Sequence, residues 1–324
     1  MKKNILYLIP LMLLVLTLTS CDKDEIKEQS VINVYSYDQN QFDKWLAENF
    51  RNPYNIDFKY RYEEIESDLN YYTVPARLEE SIVMAHLVKY LCIETYNEVA
   101  GINFTCSQFP KMFFLIGTWE YRNNGSYILG TAEGGKKILL AGINFLGDVL
   151  NGTYDPTYSI ADGLNHYYIK TIHHEFVHIL NQTKDYPTSF RQVTPNSYVN
   201  DSQFDEPYRS AYLLRGFISA YAQTEPREDF AEMVAEYVTH DKAWWDAQLA
   251  AADGIWEGDI NQTQTGKSLI EQKLDIVREY MFSTWKIDID ELRDCILRRQ
   301  TNVITGKIDL TDLTTNGDEY QTQK

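Results

Sequence analysis

The sequence predicts an α+β fold, with an N-terminal part that mixes helices with a small sheet and a C-terminal part made of helices. Three observations predict it. Between residues 111 and 145 short apolar runs alternate with turn signals, which is a β texture. From about residue 163 onward the apolar spacing is helical, over 163–182, 226–239, 241–252, 267–285 and 289–300. The 324 residues are 44% hydrophobic and 24% charged, the balance of a chain that folds around a core.

The elements follow in order. Lys2 and Lys3 precede an apolar run from Ile5 to Thr19, which is too short for a spanning helix and reads as a secretory signal over residues 1–20. The run ends Leu18-Thr19-Ser20-Cys21, which resembles a bacterial lipobox with Cys21 as the acylated residue. Residues 21–30 are polar and form a tether, and residues 31–324 form a single domain with an α/β part over 31–160 and a helical part over 161–324. Within it, 31–35 reads as a strand, and 41–50 as a helix ended by Pro53. The strictly alternating 56–62 reads as a half-buried strand, and 77–99 as a long helix closed by Gly101. Strands are expected at 112–116, 127–130 and 137–143, with turns at Asn123-Asn124-Gly125 and Gly134-Gly135. Residues 183–210, rich in Pro, Thr, Ser, Asn and Asp, read as an irregular connection, and 314–324 as a frayed tail.

Several function classes are excluded early. With 30 basic against 47 acidic residues the formal charge is −17, and removing residues 1–20 makes it −19, so no nucleic acid partner is expected. The same charge leaves no basic patch for anionic lipid, so the only membrane contact expected is the lipid on Cys21. Of the other cysteines, Cys92 and Cys106 either pair or stay free, Cys92 then being a small core residue, and Cys295 is left over. Gly266-Lys267-Ser268 lacks the earlier glycine of a phosphate loop, since position 261 is Asn, and reads as a helix start.

One segment carries chemistry. His174-Glu175-Phe176-Val177-His178 is an H-E-x-x-H motif inside a helical pattern, so both imidazoles share one face. That spacing suits two vertices of a tetrahedral zinc site, with Glu175 beside the metal as a general base. His166 and His173 are not at ligand spacing. A histidine six residues after His178 would complete another zinc pattern, but position 184 is Lys, so a third ligand must come from elsewhere. In Glu228-Asp229-Phe230-Ala231-Glu232 two carboxylates stand four apart behind Thr224, a candidate N-cap, and Pro226. By spacing alone two such glutamates read first as a solvated helix face; read as a site, with Tyr221 near by and the resemblance described below, Glu228 is the expected third ligand of one zinc ion per chain. Glu232 is expected to hold the free N–H of a ligand histidine. Ala231 and Ala235 are small enough for the two helices to approach closely.

The stretch from Tyr221 to Glu232 resembles the second motif of glutamate-zincins (gluzincins), in which a tyrosine lies seven residues before the metal-binding glutamate. That resemblance implies a zincin-like metallopeptidase, with Glu228 as ligand, Glu232 in support, and Tyr221 donating its hydroxyl to the developing oxyanion. Across nearly the whole mature chain the sequence also resembles the substrate import-associated zinc metallohydrolase lipoproteins of Bacteroidetes. The resemblance rests on the lipobox, Phe42-Asp43-Lys44-Trp45-Leu46, Gly130 to Lys137, the His174 motif and Ile287 to Arg293. It implies a lipoprotein of the outer membrane facing the cell surface, beside a nutrient importer and its surface binding lipoprotein; it does not fix a substrate, and the peptidase reading leads to the expectation of a peptide, protein or glycoprotein. The strand at 137–143 is expected at the sheet edge, where an extended peptide would add to it. The rival expectations are a non-catalytic lipoprotein that captures substrate for the importer, its 24 tyrosines suiting carbohydrate contact, and a structural adaptor.

Overall fold

Local sequence explains where each element begins and stops. The computed structural model describes residues 39–68, 70–123, 125–199 and 206–314. The expected signal, Cys21, tether, first strand and nearly all of the tail lie outside these residues. Helix α1 (Gln41–Leu46) starts at a capping box in which Asn40 and Asp43 each take the other's backbone N–H. It runs through a π turn (Ala47–Arg51) into Asn52–Tyr54. Pro53 therefore does not stop the helix as expected. It occupies the first positions of the last turn, where a missing N–H costs little, and Asn55 ends the run in the left-handed region at φ 54°.

Strand β1 (Asp57–Lys59) is shorter than the alternation predicted. Helix α2 (Leu78–Leu87) continues through a second π turn (Val88–Ile93) into α3 (Glu94–Ala100). Gly101, at φ 84°, closes that run as expected, and α4 (Ile102–Gln108) follows. Then come β2 (Met112–Leu115), the short hairpin β3 (Glu120–Tyr121) and β4 (Tyr127–Ile128), β5 (Gly130–Glu133) and β6 (Lys137–Leu140). Gly134 and Gly135, both at positive φ, make the β5–β6 turn.

The sheet order is β1-β2-β6-β5, parallel except for β5. This corrects one expectation. The strand at Lys137–Leu140 is an inner strand, and the free edge belongs to β5. The physical reason is coverage: Ile138, Leu139 and Leu140 are all buried, and a continuous apolar run marks a strand covered on both faces. β5 runs alongside the helix that carries the H-E-x-x-H motif. A Cβ on Gly130 would press on Thr171, and the side of Gly135 is filled by Gln182.

The helical part contains a short helix (Ile160–Leu164), a third π turn (Asn165–Ile169) and then α5 (Lys170–Thr183), where a single helix over 163–182 was expected. It continues with α6 (Pro226–Thr239), α7 (Lys242–Ala251), α8 (Gly266–Trp285) and α9 (Ile289–Ile304). Thr265 caps α8 at the Gly-Lys-Ser sequence, which is a helix start. The expected irregular connection at 183–210 holds short helical turns at Thr188–Arg191 and Tyr208–Ala211. Cys92, Cys106 and Cys295 are all unpaired, and Cys92 is a fully buried core residue. Among the described residues no helix is long and apolar enough to cross a membrane.

The core joins sheet to helices through aromatic rings. Phe176 of α5 packs edge-on against Tyr96 at 4.9 Å and tilts against Phe109 at 4.8 Å, and Phe109 reaches Phe113 of β2 at 6.1 Å. The middle of the motif is thus its anchor, and the motif's polar residues face the other way.

Candidate metal centre

The apolar stripe of α5, formed by Ile172, Phe176, Val177 and Leu180, is buried and fixes the helix about its axis. α6 packs against α5, and its Ala231 and Ala235 are fully buried. Pro226 begins α6 as expected, but its N-cap is Glu225 and not Thr224. Thr224 still belongs to the preceding 3₁₀ turn (Tyr221–Gln223), and its hydroxyl donates to the Tyr221 carbonyl.

This packing brings three of the expected residues together. The ligand atoms of His174, His178 and Glu228 all lie within 4.8 Å of one another. His174 Nε2 is 2.9 Å from Glu228 Oε2, His178 Nε2 is 3.2 Å from the same oxygen, and the two Nε2 atoms are 3.0 Å apart. Ligands about 2.0–2.1 Å from a tetrahedral zinc lie about 3.3 Å from one another, so the three atoms form a slightly compressed face of such a site. Two imidazoles and one carboxylate are also the donor types that zinc takes where a position is left open.

Electrostatics point the same way. Burial works against a charged His174, but the carboxylates of Glu228 and Glu232 outweigh it and raise its pKa to about 10. Burial would raise the Glu228 carboxyl, yet the two imidazoles outweigh it and bring it down to about 2. His174 and Glu228 thus favour a positive charge between them, which a proton or a metal ion can supply.

Around the trio, Glu232 Oε1 lies 2.8 Å from His174 Nδ1. Glu175 is partly buried, and burial raises its pKa. His174 and His178 oppose that rise, Glu228 adds to it, and the Ala132 backbone N–H of the edge strand opposes it by a hydrogen bond. A carboxylate poised upward in this way is a better proton acceptor near neutrality than an ordinary glutamate. The Tyr221 ring stands 5.9 Å from that of His174 and is 40% exposed, so one side faces solvent. Burial and the neighbouring Glu228, Glu232 and Glu175 raise its pKa, keeping the phenol proton in place for donation.

The other two histidines of the cluster stay out of the trio. His173 is buried against the Tyr96 hydroxyl at 3.1 Å, and burial takes its pKa down to about 3. His166 stacks on Tyr158 at 4.9 Å, and burial with nearby Lys170 brings it down to about 4.

Sequence reasoning missed several residues. Lys170 and Ser219 both hold Glu232, and their only signal was the spacing of Lys170 four residues before His174. Next to Glu228, Asp229 is wholly buried and paired with Lys273 at 2.6 Å, a long-range contact that no local pattern announces.

Comparisons with known proteins point to a metallopeptidase family. A family model described as "Putative zinc-binding metallo-peptidase" matches residues 35–290. A crystal structure of a protein from Bacteroides caccae ATCC 43185, described in the same words, is 38% identical, with a TM-score of 0.67 over 84% of this chain and 95% of that one. No curated protein matches the chain. With a family model spanning most of its length and a solved relative at this identity, the chain belongs to the zinc-binding metallopeptidase family that this model describes.

Proposed function

We propose that the protein is a zinc-dependent peptidase in which His174, His178 and Glu228 hold one metal ion and Glu175 is the general base. The observation that carries the reading is the convergence of two imidazole nitrogens and one carboxylate oxygen beside a partly buried Glu175 whose pKa is raised. A zinc ion held by His174, His178 and Glu228 would supply Lewis acidity toward a scissile carbonyl and would make water a stronger acid. Glu175 takes the proton from the attacking water and hands it to the leaving amine. Tyr221, with its proton held on, donates to the oxyanion that develops on the carbonyl oxygen. The free edge of β5 supports a peptide substrate. It runs beside α5 and presents backbone groups that an extended chain can pair with.

The protein is further proposed to be lipid-anchored through Cys21 at the bacterial cell surface, beside an outer-membrane importer and its binding lipoprotein. The lipobox-like sequence and the family resemblance support this part. Labelling with a radioactive fatty acid, lost in Cys21→Ser, tests the anchor.

The catalytic reading is tested with Glu175→Gln. That variant is expected to keep one zinc per chain and to lose peptide-library cleavage by about 10²-fold or more. Undiminished cleavage by the variant refutes the assignment of the base. Cleavage that is absent from the wild type while zinc is bound favours substrate capture instead.

A further inference from the structure

The two helices of the metal centre carry a longer pattern than the centre needs. On one side Lys170, His174 and His178 follow at intervals of four, and on the other Glu228, Glu232 and Glu236, with His240 one residue past the helix end. Residues four apart on a helix share a face, and the two faces meet rung by rung. Glu228 lies against His174 and His178. Glu232 lies between His174 and Lys170, whose Nζ is 3.2 Å from Oε2 and 3.3 Å from Oε1. The same Nζ reaches Glu236 Oε1 at 3.2 Å, and Glu236 Oε2 is 3.2 Å from His240 Nδ1.

Glu232 is the rung on which the metal site leans. Its side chain is 3% exposed, so its orientation is set by protein groups and not by water. Oε1 faces His174 Nδ1, and Oε2 accepts the Ser219 hydroxyl at 2.6 Å. Ser219 is itself fixed, because its oxygen also takes the Ala222 backbone N–H at 3.1 Å. A carboxylate buried this deeply needs a compensating cation, and without one it takes up a proton or turns away. Burial works against the charge on Lys170, but Glu232 and Glu236 outweigh it and hold its pKa above the usual lysine range.

We infer that Lys170 is a positioning residue of the metal centre: its ammonium, together with the Ser219 hydroxyl, fixes the Glu232 carboxylate so that it takes the N–H of His174 Nδ1 and leaves the Nε2 lone pair free for the metal. Lys170 touches neither substrate nor metal in this scheme and acts only through Glu232. A histidine ligand whose second nitrogen loses its partner typically binds metal 10–100-fold more weakly. The inference rests on the proposed zinc site, and its test separates the two.

Zinc affinity is measured by competition with a chromogenic chelator at fixed pH on the wild type, Lys170→Met, Glu232→Gln, the double variant and Lys170→Arg. Thermal unfolding of the metal-free proteins is followed in parallel. Lys170→Met is expected to lose about 10–100-fold in affinity, Lys170→Arg to recover most of it, and the double variant to be no weaker than Glu232→Gln alone. If Lys170→Met unfolds, Ser219→Ala reads the same carboxylate, with an expected loss of several-fold. The inference falls if Lys170→Met binds zinc within about threefold of the wild type, or if its loss simply adds to that of Glu232→Gln. A purely structural Lys170 would lower the melting temperature and leave zinc affinity alone. A wild type that binds no zinc overturns the metal-site reading itself and the inference with it.

Discussion

Lys273→Met tests how α6, and with it Glu228, is held in place. Asp229 and Lys273 have no exposed side-chain surface, and Lys273 Nζ lies 2.6 Å from Asp229 Oδ2. The Tyr198 hydroxyl donates to the same oxygen at 2.8 Å, and the lysine also donates to the Gly216 carbonyl at 2.8 Å, 3.9 Å from the centre of the Phe217 ring. Burial raises the pKa of Asp229 and lowers that of Lys273, so on both partners desolvation outweighs their attraction. Such a pair adds little net stability, yet removing one member strands the other, at about 3–5 kcal/mol. Methionine keeps most of the lysine stem, so the loss is mainly electrostatic.

The sign with pH follows from the aspartate. Without its cation, Asp229 has a folded-state pKa raised further above the unfolded value. Between those two values the folded state binds more protons, and stability falls as pH rises by about 1.4 kcal/mol per unit. The deficit of Lys273→Met is therefore larger at pH 7.5 than at pH 5. Urea unfolding of the metal-free wild type, Lys273→Met and Asp229→Asn/Lys273→Met at both values reads it. Metal-free protein keeps zinc linkage out of the comparison. The double variant, which removes the stranded charge and keeps a partner for Tyr198, should regain much of the loss. A deficit under about 1 kcal/mol, one that ignores pH, or a double variant no better than the single one refutes the reasoning.

Two further outcomes are expected. Zinc must displace the proton that the metal-free protein holds on His174, whose pKa is raised to about 10, so apparent zinc affinity should climb about tenfold per pH unit between pH 6 and 8. A flat profile in a chelator competition would contradict this. Tyr221→Phe should leave zinc affinity within a few-fold and lower kcat by about 10²–10³, as the loss of one oxyanion donor does; steady-state kinetics on a cleaved peptide decide it.

The sequence told much about helices and less about where they meet. Residues 226–239 were legible as a helix because Pro226 marks its start and the apolar positions keep a clean period. The three π turns were not legible, since one extra residue per turn hardly disturbs an apolar stripe. β5 was missed because Gly130, Thr131 and Ala132 are small and show no alternation, and its place is set by pairing to β6 through the Gly134-Gly135 turn. The apolar run Ile138-Leu139-Leu140 carried the sign of an inner strand, but chain order was read in its place. At the candidate site, the spacing of His174, Glu175 and His178 lies within one helix and so shows in the sequence. Ser219 sits in an irregular stretch, and only tertiary packing brings it to Glu232.

The side-by-side run of β5 and α5 has a consequence for how this chain can change length. Gly130 of the strand lies against Thr171 of the helix. At about 3.3 Å per strand residue Gly130 to Ala132 covers about 6.6 Å, and at about 1.5 Å per helix residue Thr171 to Glu175 covers about 6 Å. The two rulers agree over this stretch, at whose end the Ala132 amide meets Glu175. Deleting one strand residue would carry that amide about 3.3 Å along, out of reach, and inserting one helix residue would swing Glu175 round by about 100°. Additions between β3 and β4 disturb neither ruler, so that hairpin is where extra residues can be spliced in without moving the centre.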